Sequence, residues 1–334
     1  MREGRFWLHC SGVHGDEMET CRVCGNADDN RRHIFQEKYF GMGDEFEYIE
    51  CFECGSFSIV DIPDDMGRYY PDSYYSHAMH RSNKIAGWLK GKRDRYYLDR
   101  ASIIGSVLSL ISPAPPYIEW LRNLELPYGS TILEVGSGTG ALIVNLQDAG
   151  FPSVGIDPFV SSPVLFRNGA KVLKQTLAET TGAFDCIMLH HSLEHMDAPR
   201  EAFGHMRRLL KSGGKVLTIV PLAGTHAWKT YGQNWFQLDA PRHFVIFSET
   251  GLCRLAEKAG FMTSRIIYDS TSSQFWASEQ YLKGIALASE RSYAIFPGNS
   301  IFSPEQIAEF EKEAALLNSR NDGDQAAFYF IMCA

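Results

Sequence analysis

Residues Thr131 to Gly140 read TILEVGSGTG, and the fold turns on this stretch. Thr131–Val135 reads as a buried strand carrying one acid, Glu134. Gly136-Ser137-Gly138-Thr139-Gly140 forces a tight turn, and Ala141–Leu146 reads as the helix that follows. Glycines suit that turn because a side chain would block close approach of backbone to a ligand. The helix start offers free N–H groups and a partial positive charge, which favour a carboxylate or phosphate. Strand, glycine turn and helix together make the nucleotide-cradling corner of a doubly wound α/β sheet. The turn alone is ambiguous, because Gly136, Gly138 and Ala141 also satisfy the dinucleotide G-x-G-x-x-G/A pattern.

The neighbouring segments decide. Ser153–Asp157 reads as a second strand ending in an acid, 21 positions beyond Gly136, where a carboxylate can accept hydrogen bonds from ribose hydroxyls. Lys171–Leu173 makes a short third strand, and Leu177-Ala178-Glu179 follows, placed to meet an adenine. Phe184–Leu189 is the fourth strand and runs into His190–His195. Ala198–Leu210 is amphipathic, with Phe203, Met206, Leu209 and Leu210 on one face. Gly213 and Gly214 break it, Lys215–Val220 is the fifth strand, and Pro221 stops that strand. Ser248 caps a helix that ends at Gly260. Thr263–Tyr268 and Ala326–Met332 are the sixth and seventh strands. Between them, residues 275–291 and 303–319 read as two inserted helices that cover an acceptor or form a dimer surface.

This series resembles the class I S-adenosylmethionine-dependent methyltransferases. LEVGSGTG is similar to their first motif, with Glu134 as the acid two residues before the first glycine. FDCIMLHHSLEH and RRLLKSGGKVLTIVP are similar to their later segments, in the same order over about 95 residues. The likeness is closest to the branch holding ubiquinone-biosynthesis O-methyltransferases and sugar or glycan methyltransferases. It implies a Rossmann-like, seven-stranded doubly wound sheet whose last strand is antiparallel. It implies that Gly136, Ser137, Gly138 and Gly140 bring backbone to the methionine part of the cofactor. Glu134 would orient the loop and reach the cofactor ammonium, Asp157 would hold the ribose, and Ala178 and Glu179 would lie by the adenine. His190 would face the amino group or the methyl. For His191, Glu194 and His195 three roles stay open: ties between loop and helix, a general base, or a divalent metal site of the kind some quinone O-methyltransferases carry.

Upstream, Cys21-Arg22-Val23-Cys24-Gly25 and Cys51-Phe52-Glu53-Cys54-Gly55 repeat one short motif. Two residues between cysteines let both thiolates of a turn face one metal, and four thiolates close a tetrahedral structural zinc site. The 26 residues between the knuckles leave room for a hairpin, for which Arg32–Gln36 and Glu45–Glu50 supply strands. Residues 1–75 therefore read as a zinc ribbon, 76–127 as a helical connector and 128–334 as the catalytic domain, with a helical insert over about 275–320. His9, Cys10 and His14 either join a metal site or belong to a mobile start. Tyr69, Tyr70, Tyr74 and Tyr75 around Pro71 read as a packed linker or as a stacking surface for a flat ligand. The connector carries Lys84, Lys90, Lys92, Arg93, Arg95 and Arg100 with Trp88, Tyr96 and Tyr97 interleaved, either a solvated face or a patch for a diphosphate, an anionic glycan or a lipid carrier.

The chain of 334 residues carries eight cysteines and a charge of −8, a balance that speaks against a general nucleic-acid binder. No apolar run approaches the ~20 residues of a membrane span. The start, MREGRFWLHCSG, lacks the apolar core of a signal peptide, so a cytoplasmic chain is expected. WFQLDAPRH at 235–243, the SETGL helix and DGDQA at 322–326 also resemble bacterial methyltransferases with a cysteine-rich N-terminal module, many of them associated with surface polysaccharide or sugar-nucleotide chemistry. The resemblance implies methyl transfer from S-adenosylmethionine to a small molecule or glycan end, giving S-adenosylhomocysteine. His191, His195 and His243 are the candidate bases, because histidine titrates near neutral pH. Asp239, Arg242 and His243 either meet the acceptor or form a loop anchored by an ion pair. Three rival readings remain: a zinc-ribbon ribosomal RNA methyltransferase, a non-catalytic cofactor-binding module and an NAD-dependent oxidoreductase.

Overall fold

The computed structural model describes residues 20–70 and 84–333. His9, Cys10, His14, Tyr74 and Tyr75 lie outside them. The chain enters as an antiparallel hairpin, Arg31–Gln36 (β1) and Glu45–Glu50 (β2), to which Phe57–Ile59 (β3) is added. Phe35 and Tyr48 lie buried with Phe57, and alternation exposes Arg32, Ile34 and Gln36 on the other face of β1. Two helices follow, Lys84–Asp99 (α1) and Ile103–Ser109 (α2), with a break where Arg100 takes φ +61 and Ser102 caps α2 through Gly105 N. Pro116–Leu124 (α3) buries Tyr117, Ile118, Leu121 and Leu124.

Ile132–Val135 (β4) is buried at every position, as a strand covered on both faces must be. Ala141–Asp148 (α4), Ser153–Ile156 (β5), the two-residue Val164–Leu165 (β6) and Lys171–Leu173 (β7) follow. Next come Phe184–His190 (β8), Pro199–Leu209 (α5) and Leu210–Pro221 (β9). The expected glycine break at Gly213 and Gly214 lies inside β9, which starts directly after the helix; the register shift between Phe184 and Cys186 absorbs the irregularity. His226–Tyr231 (α6), Val245–Ile246 (β10), Glu249–Lys258 (α7) and Phe261–Tyr268 (β11) lead to Ser273–Leu282 (α8), Pro304–Ser319 (α9) and Gln325–Met332 (β12).

The large sheet runs β11-β12-β9-β8-β4-β5-β7-β6. β7, β5, β4, β8 and β9 are parallel, and β12 is antiparallel to both β9 and β11. This is the expected seven-stranded doubly wound α/β sheet with an antiparallel last strand. The hairpin strand β6 adds an eighth at the edge. The N-terminal sheet has the order β1-β2-β3-β10, so its fourth strand comes from residues far along the chain. The two inserted helices are present as α8 and α9, α8 ending at Leu282 rather than extending to 291.

Candidate active site

The glycine turn sits where β4 meets α4, at the carboxyl edge of the parallel strands. Gly136, Gly138 and Gly140 have φ of +73, +50 and +79, a region that L side chains seldom adopt. Their surroundings differ. A Cβ on Gly140 would lie 2.7 Å from the Phe166 ring, and one on Gly136 would lie 2.6 Å from Ser192 Cβ. A Cβ on Gly138 would meet nothing within 4 Å. Packing thus demands two of the glycines, and only Gly138 faces open space.

Asp157 secures this turn. Its Oδ2 accepts from Gly138 N at 2.9 Å and its Oδ1 from Phe159 N at 2.8 Å. Each oxygen keeps a further lone pair for a hydroxyl. Glu134 lies beside it, 5% exposed, and its Oε2 has no hydrogen-bond partner. Burial first, and the Asp157 charge second, push the Glu134 carboxyl up to about 8. Ser137 Oγ is likewise buried without a partner. Orphaned acceptors at a glycine turn fit a cationic donor such as the ammonium of S-adenosylmethionine. Ala178 and Glu179 are exposed: Glu179 accepts from Thr176 N and Oγ1, which holds its carboxyl below the usual range, and Ala178 O accepts from Arg208. His190 ends β8 with its ring tilted 5.0 Å from Trp120.

Beyond His190 the loop turns sharply, with His191 at φ +51. Ser192 Oγ donates to Val135 O at 2.8 Å, which fastens this loop to the end of β4. Glu194 is fully buried; its Oε1 meets His191 Nδ1 at 3.2 Å and its Oε2 has no partner. Burial opposes the charge on Glu194, but the His191 hydrogen bond and the surrounding histidines win and hold it down to about 2. His191 is correspondingly raised: burial lowers it, and Glu194 outweighs burial.

His195 Nδ1 lies 2.8 Å from Arg242 O and 3.2 Å from Tyr70 Oη; His243 Nδ1 lies 2.8 Å from Gln237 O. A carbonyl only accepts, so each Nδ1 carries the proton and each Nε2 keeps a lone pair. The two rings stand 4.8 Å apart, and one ligand atom of each lies within 4.8 Å of the other and of a Glu194 oxygen. The structure thus brings His195 and His243 together with Glu194 and sets His191 on the other side of that carboxylate.

Asp239 and Arg242 anchor this loop. The guanidinium donates to both Asp239 oxygens (2.9 and 2.6 Å), to Glu37 Oε1 (3.0 Å) and to Tyr69 O (3.3 Å). It also packs on the faces of Tyr39 and Phe40. Tyr48 Oη donates to His243 O at 2.8 Å, so the N-terminal sheet holds the loop from two sides. Two tryptophans near this loop pack inside the molecule: Trp228 packs on Phe35 and Phe57, and Trp235 Nε1 donates to Asp324. Sequence reasoning missed Ser192, Trp120 and Tyr70 as neighbours of the site. Tyr70 lies in the tyrosine run and Ser192 in the FDCIMLHHSLEH stretch, while nothing local in the sequence marks Trp120.

Cys21, Cys24, Cys51 and Cys54 converge as expected. Sγ pairs stand 3.6 Å (Cys21–Cys54) and 3.4 Å (Cys24–Cys51) apart. Four sulfurs around zinc at Zn–S about 2.3 Å would stand about 3.8 Å apart, so the group fits with a slight expansion. Gly25 and Gly55, both at positive φ, return N–H bonds to Cys21 O and Cys51 O. Without a cation the thiols compete: the Cys21 S–H draws Cys54 down to about 5, while Cys21 itself is pushed up.

Residues 114–264 match a family model described as "Methyltransferase domain". A relative named ubiquinone biosynthesis O-methyltransferase from Aromatoleum aromaticum is 26% identical over 171 residues, 46% of this chain and 73% of that protein. One of the same name from Nitrosococcus oceani is 34% identical over 113 residues, 30% of this chain and 48% of that protein. Among solved structures, a magnesium protoporphyrin IX methyltransferase from Synechocystis with bound SAH aligns with a TM-score of 0.43 at 12% identity, covering 79% of this chain and 97% of that one. A cyclopropane synthase from Mycobacterium tuberculosis aligns at 0.42 and 16% identity, over 77% and 96%. At these scores the fold assignment rests on the strand order and the domain match. That match also separates the chain from dinucleotide oxidoreductases, which share its glycine turn.

Proposed function

We propose that the chain, whose residues 114–264 carry an S-adenosylmethionine-dependent methyltransferase domain, methylates a hydroxyl of a small-molecule acceptor. The observation that supports this reading is the Glu194–His195–His243 cluster, with Glu194 and His243 buried and His195 half-buried, fastened through Ser192 to the end of β4 beside the glycine turn. When bound, the cofactor supplies an activated methyl group on its sulfonium. The residues around it bind and orient. Glu134 Oε2 takes the ammonium, Asp157 takes ribose hydroxyls, Gly138 lets the ligand approach, and Ala178 and Glu179 lie by the base. His190 faces the amino-acid end. Either His195 or His243 accepts the hydroxyl proton at Nε2, since its Nδ1–H is held by a carbonyl. Burial first and the neighbouring His195 second push His243 down to about 4, below the neutral range expected of a histidine, so it stands unprotonated but is the weaker base. His191 keeps Glu194 ionised, and Glu194 stabilises the imidazolium that forms.

A second reading has a specific observation behind it. Glu194 Oε2 and the two Nε2 lone pairs also suit one divalent cation, each histidine being steadied by a carbonyl in the way metal-ligating imidazoles are. Such an ion would lower the acidity barrier of the hydroxyl directly. The acceptor class is a sugar, as sugar nucleotide or glycan end, or a phenol like those implied by the names of the two relatives. The N-terminal cysteines hold zinc in a structural role.

Calorimetric titration of S-adenosylhomocysteine into wild type and Asp157→Ala tests the cofactor site: binding to wild type that weakens at least about tenfold in the variant supports it. A labelled-donor screen of sugar and phenol acceptors then tests turnover. His243→Ala should lose about a hundredfold or more in kcat with S-adenosylhomocysteine affinity kept. Loss of turnover on chelation, restored by manganese that also binds calorimetrically, would favour the cation over the histidine base. A well-folded wild type that binds no S-adenosylhomocysteine sinks the proposal.

A further inference from the structure

We propose that the helical hairpin α1–α2 docks the protein on an anionic lipid surface. α2 rests on α1 through Gly105, where a Cβ would lie 2.0 Å from Lys92 O and 2.7 Å from Tyr96 Cβ. The opposite side of α2 is apolar and bare. Ile103 is 89% exposed, Val107 62%, Leu110 84% and Ile111 81%. At 100° per residue Ile103 and Val107 fall on one side of α2, turned away from Gly105, and Leu110 and Ile111 follow in the turn that closes the helix. Ile85 and Trp88 of α1 are also exposed. Exposed aliphatics are ordinary singly, but a continuous stripe of them marks a contact surface.

Charge selects the occupant. Residues 84–111 hold six Lys and Arg against two Asp, in a chain whose net charge is −8. Both aspartates are engaged within the hairpin, Asp94 by Arg93 and Asp99 by Arg95. Lys90 and Arg100 are exposed, Lys92 lies over the Trp88 ring and Arg100 over the Tyr96 ring. Exposed apolar side chains on α2 and its closing turn, with basic and tryptophan side chains on α1 of the same hairpin, are the chemistry of an element lying in a lipid interface, apolar groups in the acyl boundary and cations among anionic headgroups. A second copy of this chain would bring the same cations face to face across a two-fold axis, which disfavours self-association through this face. Among the described residues no helix is long and apolar enough to cross a membrane, so contact would be at the surface.

The test is co-sedimentation of the full chain with vesicles of pure phosphatidylcholine and of phosphatidylcholine with about a third phosphatidylglycerol, a content chosen to give a clear surface potential. Wild type should partition to the anionic vesicles at least about tenfold more strongly, and about 0.5 M salt should reverse this. Ile103→Asp with Leu110→Asp should abolish binding, and Lys90→Glu with Lys92→Glu should weaken it. S-adenosylhomocysteine affinity and thermal midpoint, measured on all variants, report that each is folded. The proposal is overturned if wild type stays in the supernatant with anionic vesicles, or if folded variants bind as wild type does. It is equally overturned if sedimentation velocity shows a dimer that the Ile103 and Leu110 changes dissociate.

Discussion

Glu134 is the residue whose environment has the clearest consequence. In the unfolded chain its carboxyl titrates near 4.5, in the folded chain near 8. Between those values the folded state keeps a proton that the unfolded state has lost. Its contribution to stability therefore falls as pH rises through that window and is level above about 8. Glu134→Gln removes the titration. In cofactor-free protein the variant should gain on wild type between pH 5 and pH 9, by on the order of 3 kcal/mol in urea unfolding. An unchanged difference at the two pH values would mean that Glu134 finds a partner when it ionises. The same change should weaken S-adenosylhomocysteine binding, because the ligand ammonium loses its counter-charge.

At the level of elements, the N-terminal sheet is built into the rest of the molecule. β3 pairs with β10, Tyr48 holds His243 O, and Ser248 Oγ, the cap of α7, donates to Cys54 O. The glycine turn depends on β4, β5 and Asp157 and touches none of these. Purified protein should carry about one zinc, and Cys21→Ser with Cys54→Ser should lose it. The zinc-free protein should lose turnover through disorder of the His195–His243 loop while keeping most of its S-adenosylhomocysteine affinity. Full turnover without metal would show that the ribbon leaves the loop in place. Full zinc in the double variant would refute the thiolate site.

For the molecule as a whole, the buried Arg242 is the join between ribbon and domain. Glu37 Oε1 also accepts from Phe40 N and Oε2 from Met42 N, so this carboxylate is satisfied only with the guanidinium in place. Arg242→Met keeps much of the volume and strands two buried acids. It should cost about 3–5 kcal/mol in equilibrium unfolding, as breaking a buried ion pair from one side does. A cost below about 1 kcal/mol would mean that water or a proton replaces the guanidinium freely.

The sequence by itself determined the seven-strand series, the glycine turn, Asp157, the cysteine knuckles and the helical insert. These are local: each follows from apolar period, glycine placement or a spacing of two residues, while the doubly wound sheet with its antiparallel last strand was implied by the family resemblance. Only the tertiary structure decided that β10 completes the ribbon sheet and that β6 extends the large one. Two residues are too few to show a period. Only the tertiary structure set His243 against His195 and Glu194, parted the glycines into two packed and one open, and buried Trp235 with Trp228 packed at the edge of the core. Those facts depend on contacts between distant parts of the chain, the Arg242 carbonyl on His195 and the Tyr48 hydroxyl on His243 among them. A pattern of neighbours in sequence carries no record of which distant groups a buried polar atom will find.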